Sequence, residues 1–585
     1  MPSLVTIGVA LLVVYFSSFV HRFLTNWRNA QKSGLPYFFV PLDQNHFIWM
    51  ITSVPLRPWL KRNLPTWITD RISLCIYGHE FHEGTRQYEV WGRPQGNEDT
   101  VIMVTPGLYE MNTRDPELAM EILRNYRAFT SHDLTVLFMA RFGQNVLTSN
   151  GDDWVRQRKV IASTINERIS KTVFNESVHQ TAGLLDEVVG GEKQTGESAK
   201  IFDYMKKITI NVLSGAGMGA KVEWKANAND KPKLGFKMTY IDAVQVIIDA
   251  VAGPIILPKW FLDYYPKYLP GHELMRSLGL AIDEFPIHTK DLLEAEKIRT
   301  TKLGETSSNI MSQLLRASES ERSGLSDDEM MGNLFVFTAA GFDTTANTLS
   351  FALVLLCRYP EWQKWMLEEI DQILPSIDTA EEDLDYTAIF PKATRILAIM
   401  FETLRLFPPV IHLAKQTRKT EYLRSKNGKT YRIPAKASVY INIVAIHQDP
   451  SVWRNLNLLP STTSPSSDSD EKIFRPSRWV HPETGEMFRP PPGYFIPWSS
   501  GPRICPGQKM AQVEFVSIFL VLFRRCVIEA VGLENEGRQE EVEERLDKKL
   551  RESISILTLQ MNDVYNVKGH DEEKGLKLRV TRRRE

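Results

Sequence analysis

The sequence predicts a mainly helical protein held on a membrane by its N-terminus. Three stretches carry this prediction. Met1 to Val20 has no charged side chain, and its apolar part begins at Leu4. From about residue 110 to about residue 450 the apolar spacing is helical through most of the chain. Within it, Ser326-Asp-Asp-Glu329 reads as a capping box that opens a proline-free run to Arg358, just before Tyr359-Pro360.

The N-terminal stretch comes first in order. About 18 residues of helix span ~27 Å, close to the ~30 Å hydrocarbon core of a bilayer. Arg22, Arg28 and Lys32 follow the apolar run and hold that side in the cytosol. A cleaved leader would place its charges before the apolar run and a small-x-small site after it. Residues 1–21 are therefore assigned as an anchor. Residues 22–45, with Gly34, Pro36 and Pro41, form a connector, and residues 46–585 one large folded domain.

Two segments of that domain read as surface insertions. One is 455–472, which contains the serine-rich run Ser461 to Asp470. The other is the charge-rich 534–552, with Glu540, Glu541, Glu543 and Glu544. The tail ending in Arg582-Arg583-Arg584 reads as a frayed end. The 585 residues are 43% hydrophobic, ample for a large core. Lys and Arg total 70 against 71 Asp and Glu, a balance that excludes a nucleic-acid-binding class. The four cysteines, Cys75, Cys357, Cys505 and Cys526, include no Cys-x-x-Cys pair, which disfavours a disulfide framework or a structural zinc site.

The run from Ser326 to Arg358 makes a helix of ~48 Å, apolar nearly all round, as in a helix buried through a domain. Ala340-Gly341-Phe-Asp343-Thr344-Thr345 breaks that pattern within one turn. A mid-helix glycine costs about 1 kcal/mol against alanine, and a buried aspartate is costly without partners. Two such departures together point to a functional site.

Near the C-terminus stands Trp498-Ser-Ser-Gly501-Pro-Arg503-Ile-Cys505-Pro-Gly507. Gly501 and Gly507 permit turns and close approach around one cysteine, a cradle for a single thiolate metal ligand. Elsewhere, Glu402 and Arg405 share a helix face among Phe401, Leu404, Leu406 and Phe407, which favours a buried pair. Trp154 and Arg158 also share a face. Arg156 and Lys159 flank them as solvated charges able to meet an acidic donor protein.

The cysteine stretch resembles the haem-binding loop of cytochromes P450, Phe-x-x-Gly-x-Arg-x-Cys-x-Gly, with Trp498 in the place of Phe. The polar break resembles that family's oxygen-activation stretch, Glu402-Thr-Leu-Arg405 its Glu-x-x-Arg motif, and Pro476-Ser-Arg478 the later Pro-x-Arg partner. Trp154-x-x-x-Arg158 resembles its haem-propionate motif, and His447-Gln-Asp449-Pro450 its His-Arg-Asp-Pro element with Gln448 in place of Arg. These motifs occur in family order between about residues 40 and 530.

The resemblance implies the P450 fold, mainly helical with small β-sheets, and haem b with Cys505 as axial ligand of the iron. Trp154, Arg158, Arg503 and His412 would hold the propionates. Asp343 and Thr344 would be catalytic, with Gly341 leaving room for dioxygen. Glu402, Arg405 and Arg478 would form a structural lock. The implied reaction is monooxygenation of a hydrophobic small molecule, in an enzyme of the endoplasmic reticulum membrane. Electrons would come from NADPH through a separate NADPH-cytochrome P450 reductase, with cytochrome b5 as a further donor.

Residues 129–148, Phe335 to Ala340 and Val410 to Leu413 would wall the pocket and are largely apolar. The serine-rich insertion and Trp498 resemble filamentous-fungal members, many of which serve secondary metabolism. Two alternatives stay open: a P450-like isomerase or dehydratase that uses no dioxygen, and a haem-binding protein without turnover. Asp343 and Thr344 argue against the first.

Overall fold

The computed structural model describes residues 4–583 apart from 76–80, 82–83, 192, 221, 226–231, 250–256, 304–307, 321–323, 375, 377–378, 426–427, 455–469, 533–538, 556 and 562–575. Helices dominate, and the described strands form one six-stranded, one three-stranded and two two-stranded sheets.

The first helix spans Leu4–Gln31 and continues through position 21 into the expected connector. Its start is exposed: Val9, Leu12, Val13, Val14, Tyr15 and Phe16 are 54–66% accessible. Its end belongs to the folded body. Phe23 and Trp27 pack on the larger sheet's core, and Asn26 Nδ2 donates to the Thr105 carbonyl at 3.1 Å.

That sheet has six strands in the order Tyr37–Phe39, Thr100–Val104, Tyr109–Thr113, Ser438–Asn442, His412–Thr417 and Phe129–Ser131. It is mixed. Tyr109–Thr113 runs parallel to Ser438–Asn442, which pairs antiparallel with His412–Thr417. The helical core contains Asp327–Arg358, whose N-cap is the expected box. Ser326 Oγ accepts from the Glu329 amide at 3.2 Å, and the Glu329 carboxylate accepts from the Ser326 amide at 2.9 Å. Among the described residues this is the helix long and apolar enough to cross a membrane. It is mostly buried inside the protein, as a core helix is.

Four expectations change here. Arg156 is not a solvated charge: its guanidinium makes two bonds to the Glu329 carboxylate, at 2.5 and 2.9 Å, and clasps the start of the long helix. Of the insertion expected over 455–472, residues 455–469 lie outside the described residues. Its end is not surface, since Asp470 and Glu471 are each 2% exposed in a buried turn. Of the second insertion, residues 534–538 lie outside the described residues, and Gln539–Arg551 is an amphipathic helix that buries Val542, Leu546 and Leu550, with Asp547 accepting from Arg358 Nε at 3.0 Å. Of the tail, the described residues 576–583 are not frayed, and Arg584 lies outside the described residues. Leu578–Arg582 is the middle strand of a three-stranded sheet between Cys526–Ala530 and Thr195–Ser198.

Candidate active site

The cysteine loop is fixed by its own backbone. Ser499 and Gly501 both have left-handed φ, 64° and 68°. For Ser499 that is a strained conformation of the kind found at functional loops. At Gly501 a Cβ would also stand 2.9 Å from the Leu123 carbonyl oxygen, so only glycine fits. The Cys505 amide donates to the Trp498 carbonyl at 2.9 Å and closes the loop. Trp498 packs edge-on to Phe401, centroids 5.6 Å apart, so indole fills the place of phenyl.

Cys505 is the exposed one of the four cysteines. Burial pushes the thiols of Cys75 and Cys357 up to about 12 and that of Cys526 up to about 11, which leaves them as inert core groups. Desolvation also raises Cys505, but the amides of Gly507 and Gln508 and the Arg158 guanidinium act in the opposite sense. A Cβ on Gly507 would lie 3.9 Å from Cys505 Sγ. The sulfur is therefore approached by amide N–H groups and a cation, the surroundings that suit a metal-bound thiolate.

A second group of cations gathers beside it. Arg158 lies on the helix Gly151–Thr164, one turn after the buried Trp154. Arg503 stacks over the Trp154 ring with its guanidinium carbon 4.8 Å from the centroid. It donates to Ser131 Oγ at 2.8 Å, the Ser149 carbonyl at 2.7 Å and Asn150 Oδ1 at 3.0 Å, while its Nε has no partner. Burial lowers Arg503 to about 10. Lys415, through burial and then the like charge of Arg503, falls to about 8.

Sequence reasoning missed Lys415. It faces Ser131 across the sheet edge and so joins Arg503. Among the described residues none of Arg158, Lys415 and Arg503 is ion-paired to a carboxylate, so this cluster is built for an anion. The two carboxylates of haem would fit that donor set, and Cys505 would be the residue to hold its iron.

His412 does not join the cluster. It is three residues before Lys415 on the same strand, so its side chain leaves the opposite face. There it meets Tyr440, centroids 5.9 Å apart, and lines a small cavity with Glu110 and Asn112. Burial lowers its imidazole to about 4, so at neutral pH it has no charge to offer a propionate. Lys415 supplies the cation expected from it. Lys415→Gln is expected to weaken haem retention about tenfold, the worth of one charge-assisted hydrogen bond. Haem transfer to excess apomyoglobin measures this, and an unchanged rate rejects the assignment.

On the long helix, Thr344 Oγ1 donates to the Ala340 carbonyl at 2.7 Å, bonding back across the turn that contains Gly341. A Cβ on Gly341 would touch only the Leu213 methyls, at 3.6 Å. Asp343 is 6% exposed. Its carboxylate accepts from Asn347 Nδ2 at 3.1 Å and from the Thr558 hydroxyl. Burial raises Asp343 above the usual carboxylate range, against the Thr558 bond and the charge of Lys206. Of the expected pocket walls, Phe335 packs on Phe142 and Phe285, with centroids 4.8 and 5.7 Å away.

The structure brings Glu402, Arg405 and Arg478 together, all 0% exposed. Arg405 makes two bonds to the Glu402 carboxylate, at 2.8 and 2.9 Å. Arg478 Nε donates to the same carboxylate at 2.9 Å, as do the Trp479 indole and the Arg475 amide. Arg405 also donates to the carbonyls of His447 and Glu471, and Arg478 reaches Asp470 Oδ2 at 3.2 Å.

A sequence profile described as Cytochrome P450 matches residues 98–545, most of the chain. The chain belongs to the cytochrome P450 family. This P450 is 37% identical, over the whole of both chains, to the phomenoic acid biosynthesis cluster cytochrome P450 monooxygenase of Leptosphaeria maculans. It is 25% identical to a cytochrome P450 monooxygenase of Arthrobotrys oligospora, over 93% of this chain and 94% of that one. The solved structure of the cytochrome P450DA heme domain superposes with a TM-score of 0.63 at 18% identity, covering 94% of this chain and 98% of that one, and shares the fold. The P450 is an oxidoreductase of the monooxygenase class with a haem-thiolate iron.

Proposed function

We propose that this P450 inserts one oxygen atom from dioxygen into a hydrophobic small molecule, with haem b bound through Cys505 and electrons drawn from NADPH through a separate reductase. The observation that carries the reading is the polar break in a buried apolar helix. Thr344 and Asp343 sit in one turn, on a helix that packs against the Gln508–Arg525 helix leading out of the cysteine loop. Haem, when bound, supplies the iron that activates dioxygen, with electron donation from the thiolate. The chain's own part is to hold and move protons. Asp343 is a buried carboxylate able to take up a proton, and Thr344 is the hydroxyl on the adjoining position. Trp154, Arg158, Lys415 and Arg503 would hold the cofactor through its carboxylates.

The exposed apolar start of the first helix supports a membrane anchor, with the endoplasmic reticulum as its site and cytochrome b5 as an accessory donor. Similarity to an enzyme of a biosynthesis cluster supports a role in fungal secondary metabolism.

Thr344→Ala tests the reading. The variant is expected to keep haem and its spectrum, while product formed per NADPH falls about tenfold and hydrogen peroxide rises in its place. Assay with a reductase and NADPH measures both quantities. Full coupling in the variant rejects the relay, and no NADPH consumption by the parent enzyme with any substrate rejects monooxygenation.

A further inference from the structure

The Asp343 carboxylate is held from a part of the chain that no motif includes. Ile554–Ser555 and Leu559–Gln560 pair as an antiparallel hairpin near the C-terminus. Thr558, at its turn, is 3% exposed. Its one hydroxyl hydrogen goes to Asp343 Oδ2, and its oxygen accepts from Asn347 Nδ2 at 2.9 Å. Asn347 Nδ2 also reaches Asp343 Oδ1 at 3.1 Å and the Asp343 carbonyl at 2.9 Å. Both oxygens of the carboxylate are thus engaged, one by the hairpin and one by the next helical turn.

We infer that Thr558 is a positioning residue for oxygen activation: its hydroxyl fixes the orientation and hydrogen bonding of the Asp343 carboxylate from the C-terminal hairpin. The inference rests on the relay role of Asp343. A donor to the charged form of a buried carboxylate opposes the desolvation that disfavours that form. The charged group acting on Asp343 is Lys206, on the helix Ile201–Val212.

Three other charges on the elements packed here have partners of their own. Lys207 donates to the Trp224 carbonyl, Arg358 pairs with Glu543 and Asp547, and Glu402 is closed inside its lock with Arg405 and Arg478. Glu514, on the Gln508–Arg525 helix, is buried and raised to about 8 by desolvation alone. The hairpin has a second tie, because the Leu559 amide donates to the Pro409 carbonyl at 2.7 Å. Pro409 opens the segment Val410 to Leu413 expected to wall the pocket. The hairpin therefore joins the turn that carries Asp343 to the segment that starts at Pro409.

The test compares Thr558→Val, which keeps the shape and removes the hydroxyl, with Thr558→Ser, which restores it, in the haem-loaded enzyme. Two quantities are read. The first is the infrared carboxyl band of protonated Asp343, identified as the band lost in Asp343→Asn and titrated against pH. The second is product formed per NADPH.

Thr558→Val is expected to move the Asp343 titration to higher pH and to lower coupling about tenfold, the scale of one hydrogen bond to a charged group. Thr558→Ser should return both. An unmoved titration in a folded, haem-loaded Thr558→Val enzyme overturns the inference while leaving the relay intact. Full coupling in Asp343→Asn overturns the relay itself, and the inference with it.

Discussion

Cys505→Ser is expected to remove the red-shifted, thiolate-type Soret band from the reduced carbon monoxide complex and to abolish oxygenation. The reason is ligand chemistry. A thiolate is a soft, strong donor to iron, and a serine hydroxyl stays protonated at neutral pH. The loop itself should survive the change. It is fixed by the bond from the Cys505 amide to the Trp498 carbonyl, by the left-handed turns at Ser499 and Gly501, and by Trp498 against Phe401. None of these uses the sulfur. Arg158, Lys415 and Arg503 also remain as the proposed partners of the propionates, so residual haem should still bind with an altered spectrum. Cys357→Ser is the control, because Cys357 is buried and faces the Ile528 carbonyl at 3.8 Å. The difference spectrum of the reduced, carbon monoxide-bound protein decides the matter, and an unchanged band in Cys505→Ser removes Cys505 as the ligand.

Glu402→Gln should be the most damaging change outside the cofactor's reach. One carboxylate, 0% exposed, is shared by two guanidiniums, an indole and an amide. Removing its charge leaves Arg405 and Arg478 buried with less compensation, a loss of about 3–5 kcal/mol. Thermal unfolding and the yield of haem-loaded protein measure it. A melting temperature within a degree of the parent's contradicts the lock.

The same carboxylate sets a pH dependence. Desolvation raises it, but Arg405 and Arg478 outweigh that and hold it down to about 2. Its pKa in the folded state lies below the ~4.3 of an unfolded chain. Its contribution to stability is therefore complete above that value. It is lost as pH falls from there toward about 2. The acid limb of unfolding should flatten in Glu402→Gln.

What could be read from the chain was local. The long helix begins at Ser326 and ends at Arg358 as expected, because a capping box and a following Tyr-Pro act within one turn. The burial of Glu402 and Arg405 followed from the apolar residues that surround the pair in the sequence of the same helix. Lys415 was not legible. Which face of a strand a lysine takes, and which loop it meets there, depends on pairing with Phe129–Ser131 far away in sequence. Asp470 and Glu471 were misjudged for a similar reason. They end a polar run, yet they are drawn inside by the bonds that Arg478, Arg454 and Arg405 make with them.

By itself the sequence determined the family chemistry: a glycine-framed cysteine, an acid and an alcohol inside an apolar helix, and a buried ion pair. Each depends on neighbours a few residues apart, where backbone geometry is set by local sterics and hydrogen bonds. The tertiary structure alone decided which distant groups complete those sites. It put Lys415 rather than His412 beside Arg503, turned Arg156 onto Glu329, and brought Thr558 to Asp343 across 215 residues of chain. Such contacts form because a buried charge or carboxylate must find partners wherever the packed core places them.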